Sequence, residues 1–162
     1  MRAANPQRER PGPVIRMIMR LLPKITLGHV WLYKGLGGRI VSRNPLGPPL
    51  LLVTTIGRCG EKPRAVMVAH LRSGDDVFVM GTNGGLPKLP AWVRNLRAHP
   101  KAEVEPGRER YSVVAEFLAG DDWQHRWDQL VNVFSSYEDA VRWSGGRRFP
   151  LIRLRRTSGI PE

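Results

Sequence analysis

Leu50–Leu71 reads LLLVTTIGRCGEKPRAVMVAHL. An apolar run of strand length, Leu50–Thr55, leads into a loop holding Gly57 and Gly60, and a second such run follows at Arg64–Leu71. Two β-type runs joined by a glycine-bearing turn predict an antiparallel pair. The connection, Thr54–Arg64, also carries Arg58, Lys62 and Arg64. Guanidinium forks beside backbone N–H groups freed by a glycine turn form a cradle for phosphate or carboxylate. An exposed basic hairpin without a ligand gives the same pattern.

Downstream, Arg72-Ser-Gly-Asp75 predicts a hairpin turn into a third strand, Val77–Met80. A glycine-rich loop, Gly81-Thr-Asn-Gly-Gly85, comes next. Pro90 then opens a helix through Trp92, Asn95 and Leu96, closed at His99-Pro100. A glycine pair leading into a helix start is a second anion site, where N–H groups and the helix dipole converge. Ala102–Glu105 and Tyr111–Leu118 flank Pro106-Gly107 and read as another hairpin. Asp121 and Asp122 can cap a helix reaching Phe134, and a second short helix covers Tyr137–Trp143. Phe149–Leu154 is the closing strand, with Arg153, Arg155 and Arg156 beginning a polar tail. Six short strands without regular strand–helix alternation predict an α+β architecture or an antiparallel barrel, not a doubly wound sheet.

The chain has 162 residues, a length for one domain; 41% are hydrophobic and 25% charged, which excludes a disordered chain. Lys and Arg number 26 against 14 acids, a net charge of +12. Residues 1–60 hold ten cations and one acid, Glu9; the remainder holds sixteen against thirteen. The excess therefore sits in front. It points to an anionic partner: nucleic acid, anionic lipid or a multiply charged small molecule. Nucleic acid ranks lowest, because no RNA- or DNA-reading motif accompanies the charge. Residues 1–12 read as a polar tail. Ile15, Ile18, Leu22 and Ile25 lie at helical spacing, with Arg16, Arg20 and Lys24 on another face and a bend or stop at Pro23. Such a helix over residues 13–24 either touches an anionic membrane surface or packs on its own domain. The expected organisation is a tail and helix at 1–24, a barrel domain at 25–156 and a tail at 157–162. No stretch is apolar enough to span a bilayer and no signal peptide is evident, so a cytoplasmic protein is expected, with membrane association through the front helix left open. The single cysteine, Cys59, excludes an intramolecular disulfide. His29, His70, His99 and His125 are scattered, which predicts no metal site. No Gly-x-Ser-x-Gly elbow marks a triad hydrolase.

The two glycine segments stand in a distinctive order. A Thr-Thr-x-Gly-Arg loop ends in Pro63-Arg64, and a strand pair follows. Gly84-Gly85 then leads to Pro90-x-Trp-x-x-Asn-Leu-x-Ala-x-Pro100, and later come Ser136-Tyr137 and a Pro-containing last strand. This order resembles the deazaflavin-dependent nitroreductase and quinone reductase family of actinobacteria over residues 28–155. The resemblance implies a split β-barrel of the FMN-binding type. It implies binding of the deazaflavin coenzyme F420, whose phospholactyl-oligoglutamate tail is anionic, with FMN or no cofactor as alternatives. The implied activity is hydride transfer from the reduced deazaflavin to a quinone, nitroaromatic or enone, a small hydrophobic substrate; a homodimer stays open. Carried over by motif position, Thr55, Gly57, Arg58 and Arg64 serve the anionic tail. Thr82, Asn83, Gly84 and Gly85 run beside the cofactor, with Trp92 and Asn95 supporting it. Tyr137 and Thr82 offer hydrogen bonds to the acceptor oxygen that gains charge. The chain departs from the family pattern at Cys59-Gly60-Glu61, where relatives often carry Lys-Thr-Gly, and at Asn83, where a lysine is frequent. Phe134 and Ala140 stand where tyrosines are frequent; either they suit a larger, less polar substrate such as a quinone or a polycyclic secondary metabolite, or they simply pack the helices. The two lost lysines motivate an alternative: the same fold without a redox role, as an isomerase, cyclase or ligand-binding protein in secondary metabolism.

Overall fold

The computed structural model describes residues 49–107 and 109–157. The tail and amphipathic helix expected over residues 1–24 lie outside them, as does the end of the chain beyond Thr157. Six strands are present: β1 (Leu50–Ile56), β2 (Pro63–Ser73), β3 (Asp76–Met80), β4 (Lys101–Glu105), β5 (Tyr111–Phe117) and β6 (Leu151–Arg156). They close into a barrel in the order β1-β2-β3-β6-β5-β4, every neighbouring pair antiparallel. Among the described residues three α-helices accompany it: α1 (Ala91–Ala98), α2 (Gly120–Val133) and α3 (Ser136–Trp143).

Strand alternation builds two cores. Leu51 and Val53 of β1, Val77 and Val79 of β3, Val104 of β4, Val113 of β5, and Ile152 and Leu154 of β6 share the barrel interior and are buried. Burial of each such side chain contributes about 1.5–3 kcal/mol. The other face of β3 carries Phe78 and Met80, which pack with Leu130 and Phe134 on one side and Tyr137 and Ala140 of α3 on the other. β3 is therefore apolar on both faces, the physical reason that its sequence is continuous and not alternating. Helix α1 plugs the barrel, adding Trp92, Val93 and Leu96 to the interior. Gly81, at the exit of β3, allows this approach: a Cβ there would lie 2.6 Å from Val93 Cγ2.

Three local expectations need correction. The β2–β3 turn is tighter than Arg72–Asp75: Ser73 pairs with Asp76, leaving Gly74 and Asp75 as the turn. The last strand runs from Leu151 to Arg156, not from Phe149 to Leu154. Arg155 and Arg156 are not tail residues but pair with Val114 and Val113. Their charges sit on the strand's exposed positions, where Arg155 meets Glu116 at 3.2 Å and Arg156 meets Glu109 at 2.8 Å. Asp121 and Asp122 do not cap α2: the N-cap position is Ala119, without a side-chain bond, and both carboxylates lie within the first turn. There they still favour the positive end of the helix dipole.

Candidate active site

A cavity of about 770 Å³ opens between the β1–β2 connection, the outer side of β2, the β3–α1 connection and the first turn of α1. Gly57, Arg58, Cys59 and Arg64 form one wall. Thr82, Asn83, Gly84 and Lys88 form the facing one, continued by Trp92, Arg94 and Asn95 of α1. Ala65, Met67 and Ala69 of β2, with Met80 and Leu89, supply an apolar surface, and Tyr137 of α3 reaches in. The two segments singled out in the sequence thus enclose one space.

The lining holds Arg58, Arg64, Lys88 and Arg94 and no carboxylate. Among the described residues none of these four has an ion-pair partner. On the far side of the barrel Arg153, Arg155 and Arg156 of β6 are paired, as Arg153 is with Asp76 at 2.6 Å. Like charges gathered without counter-ions in a concave site focus a positive potential there. By sequence Lys62 and Lys88 are the two cations that could replace the lost family lysines, and of the two only Lys88 lines the cavity. Arg94, within the second segment, carries no role assigned from sequence and reads as an ordinary exposed helix residue until the helix direction is known.

Several of the backbone amides anticipated as anion donors from the glycines are spent within the loops. In the β1–β2 connection Gly57 N–H donates to Lys62 O (2.9 Å) and Glu61 N–H to Gly57 O (3.2 Å). The Arg58 N–H donates to Asn95 Oδ1 (3.3 Å). In the β3–α1 connection the Gly-Gly pair ends a 3-10 turn, Asn83–Gly85, well before α1 begins. Gly84 N–H donates to Thr82 Oγ1 (3.4 Å), Gly85 N–H to Thr82 O (3.1 Å) and Leu86 N–H to Asn83 O (3.1 Å). An amide that closes its own turn is not a free donor for a ligand, and the side-chain donors of the lining outnumber such amides.

Two anticipated residues do not face the cavity. Thr55 is fully buried, because it continues the inward row of Leu51 and Val53. Gly85 is buried against α3: a Cβ would lie 2.8 Å from Ala140 O, and its φ of 78° is strained for any other residue. Thr55 supports the site from behind. Buried Asn95 donates through Nδ2 to Thr55 Oγ1 (3.0 Å), and Thr55 Oγ1 donates to Arg64 O (3.3 Å). With the Arg58 amide on its Oδ1, one side chain of α1 holds both ends of the arginine-bearing connection.

Tyr137 is buried, in edge contact with Phe134 (ring centroids 5.6 Å apart). Burial pushes its phenol up to about 12 from 10.0. It is therefore a proton-bearing donor throughout the physiological range. The hydroxyl of Thr82, already accepting from Gly84, keeps its own proton to donate.

A closed antiparallel barrel with a cationic, part-apolar cleft beside a buried tyrosine is the arrangement of a split-barrel reductase. The family model for F420H(2)-dependent quinone reductase matches residues 26–154, and the chain belongs to that family. A protein of Mycobacterium tuberculosis strain H37Rv named F420H(2)-dependent quinone reductase is 31% identical over 134 residues, 79% of this chain and 87% of that one. The solved structure of an F420-H2 dependent reductase, FDR-A, superposes with a TM-score of 0.62 at 26% identity, covering 68% of this chain and 96% of its own. A chain described as a domain-swapped dimer shares the fold, with a TM-score of 0.64 at 23% identity over 80% of this chain and 97% of its own. The chain is thus an enzyme of a hydride-transfer reductase family. Among the described residues no helix is long and apolar enough to cross a membrane.

Proposed function

We propose that this chain binds coenzyme F420 in the cavity and reduces a quinone-type acceptor there. One observation carries the reading: among the described residues, four cations without ion-pair partners and no carboxylate line a cavity whose remaining wall is largely apolar. That donor set fits a ligand with an anionic tail and a flat, less polar ring. It also answers the loss of family lysines at Cys59 and Asn83, since Lys88 and Arg94 return two cations to the same cavity.

When bound, the reduced deazaflavin supplies the hydride. The chain's own residues do the rest. Arg58 and Arg64 hold the phosphate and glutamate carboxylates from the strand side, and Lys88 and Arg94 hold them from the helix side. Thr82, Asn83 and Gly84 would hold the ring, and Trp92 and Asn95 would stiffen that side of the cavity. Met67, Met80 and Leu89 keep water from the reacting face. The Tyr137 hydroxyl, held protonated, donates to the acceptor oxygen as negative charge develops on it. The acceptor gains a hydride and takes a proton from solvent, giving the hydroquinone.

Fluorescence titration of the protein with coenzyme F420, followed by oxidation of the reduced coenzyme by menadione at the cofactor's visible band, tests the proposal. Binding in the low micromolar range or tighter, with quinone-dependent turnover, is expected. No binding at about tens of micromolar, a free energy weaker than roughly −6 kcal/mol, overturns it.

A further inference from the structure

The β3–α1 connection supplies Thr82, Asn83, Gly84 and Lys88 to the cavity. Behind it, facing away from the cavity, stands Arg147. Its Nη1 donates to Pro87 O (2.5 Å) and its Nη2 to Leu86 O (2.6 Å), across 60 residues of sequence. The guanidinium also lies over the Phe149 ring, 4.7 Å from the centroid. Its backbone is fixed as well: Arg147 N–H donates to Ser144 Oγ (3.2 Å), which donates to Val141 O in α3 (2.8 Å). The same helix presents Ala140 and Trp143 against Gly85 and carries Tyr137.

We propose that Arg147 is a positioning residue for cofactor binding: a two-pronged clamp that fixes the Thr82–Lys88 wall relative to the helix bearing Tyr137. The residue touches neither cavity nor ligand and acts through the carbonyls it holds. Two consecutive carbonyls on a planar fork admit one orientation of the Leu86-Pro87 peptide. Lysine, a point donor, holds one carbonyl at a time and does not set that orientation. The charge matters too, because a guanidinium on neutral carbonyls makes charge-assisted bonds stronger than neutral ones. The consequence for coenzyme F420 rests on the function proposed above, whereas the clamp itself is a property of the protein alone.

The test therefore has two arms, run on Arg147→Ala and Arg147→Lys. In the first, hydrogen–deuterium exchange is measured without cofactor. Exchange at the amides of Gly85 and Leu86 is expected to rise at least tenfold in Arg147→Ala, less in Arg147→Lys, with the His99 amide of α1 unchanged. Unchanged exchange at those amides in both folded variants overturns the clamp. In the second, the F420 dissociation constant and the split between KM and kcat are read. Arg147→Ala is expected to loosen cofactor at least tenfold, and millimolar guanidinium to restore part of the loss. If wild type binds F420 and Arg147→Ala binds it equally well, the positioning role is wrong. If wild type does not bind, the proposed function fails while the exchange arm still decides the clamp.

Discussion

The two walls of the cavity are both glycine-bearing loops, yet they differ in how they are held. In the β1–β2 connection Arg58 through Arg64 are exposed, held by Asn95, by the Thr55 hydroxyl on Arg64 O and by the turn's own amides. In the β3–α1 connection Gly85 is sealed against α3, the carbonyls of Leu86 and Pro87 are gripped by Arg147, and Asn83 Nδ2 donates to Lys88 O (2.8 Å). Each wall brings two cations to the cavity, but one wall is free at its tip and the other is held from behind. An anionic tail needs only approximate placement, because Coulomb attraction falls slowly with distance. A ring that must present one carbon for hydride transfer needs placement to a fraction of an ångström. The division of labour follows from that difference.

Removing charge from the exposed wall is expected to have the largest effect. The double variant Arg58→Gln/Arg64→Gln should loosen coenzyme F420 by about 30- to 1000-fold, from the usual strength of charge-assisted contacts after allowance for solvent screening. Thermal stability should hardly move, since neither side chain makes an ion pair within the described residues. Titration at two salt concentrations checks the first and thermal melting the second: wild-type affinity should fall with salt, and the variant's should fall less steeply because Lys88 and Arg94 remain. Equal affinity in the two proteins would move the tail to some other surface.

The same comparison can be broken with one methyl group on each wall. At Gly85 a Cβ lies 2.8 Å from Ala140 O and φ is 78°, so Gly85→Ala carries both a steric and a conformational cost of about 2–3 kcal/mol together. At Gly60 φ is 90° but nothing lies within 4 Å of the added carbon. Gly60→Ala carries only the conformational part, about 1 kcal/mol. Denaturant midpoints of the two variants should therefore separate, with Gly85→Ala the lower. Coincident midpoints would mean that the turn is not packed against α3 as described.

These contrasts explain what the sequence disclosed. The six described strands were legible as short apolar or β-branched runs bounded by Gly, Pro and Asp turns, β1 and β3 because both of their faces are covered. The cavity's outline was legible because two basic or glycine-bearing segments had to meet across one barrel mouth. Amide accounting was not legible: whether a glycine turn offers its N–H groups to a ligand depends on φ and on partners such as Lys62 O and Thr82 O. Nor was Gly85's burial, which depends on where α3 lands. Arg147 escaped notice because nothing local distinguishes it from Arg148 beside it; only the carbonyls 60 residues away do.

Tyr137 stands on the fixed side, and its contribution is smaller and separable by pH. The phenol stays neutral to about 12, so kcat should show no loss through pH 10 from this group, and Tyr137→Phe should lower kcat by about tenfold at every pH below that. Stability gives the sign independently. Above pH 10 the unfolded chain releases the phenolic proton while the folded chain retains it. Folding stability then falls as pH rises from about 10 to about 12. The fall should be shallower in Tyr137→Phe, with buried Tyr111, also shifted upward by desolvation, supplying part of what remains. An equally steep decline in both proteins would show that the hydroxyl is hydrated and not buried.

The smallest effect belongs to Lys62, and it tests whether proximity in sequence or in space selects the working cations. Lys62 lies two residues from Arg64 on the same connection, yet its side chain is not part of the lining, while Lys88, far along the chain, is. An exposed charge outside the cavity acts on a bound anion only through solvent, where attraction at about one Debye length is largely screened. Lys62→Gln should therefore change F420 affinity by less than about twofold at 0.15 M salt, within the range of ordinary surface substitutions. Lys88→Gln, by contrast, should weaken it by about three- to tenfold. If Lys62 proves the more costly of the two, the tail leaves the cavity over the hairpin tip, and the helix-side wall is not where its carboxylates rest.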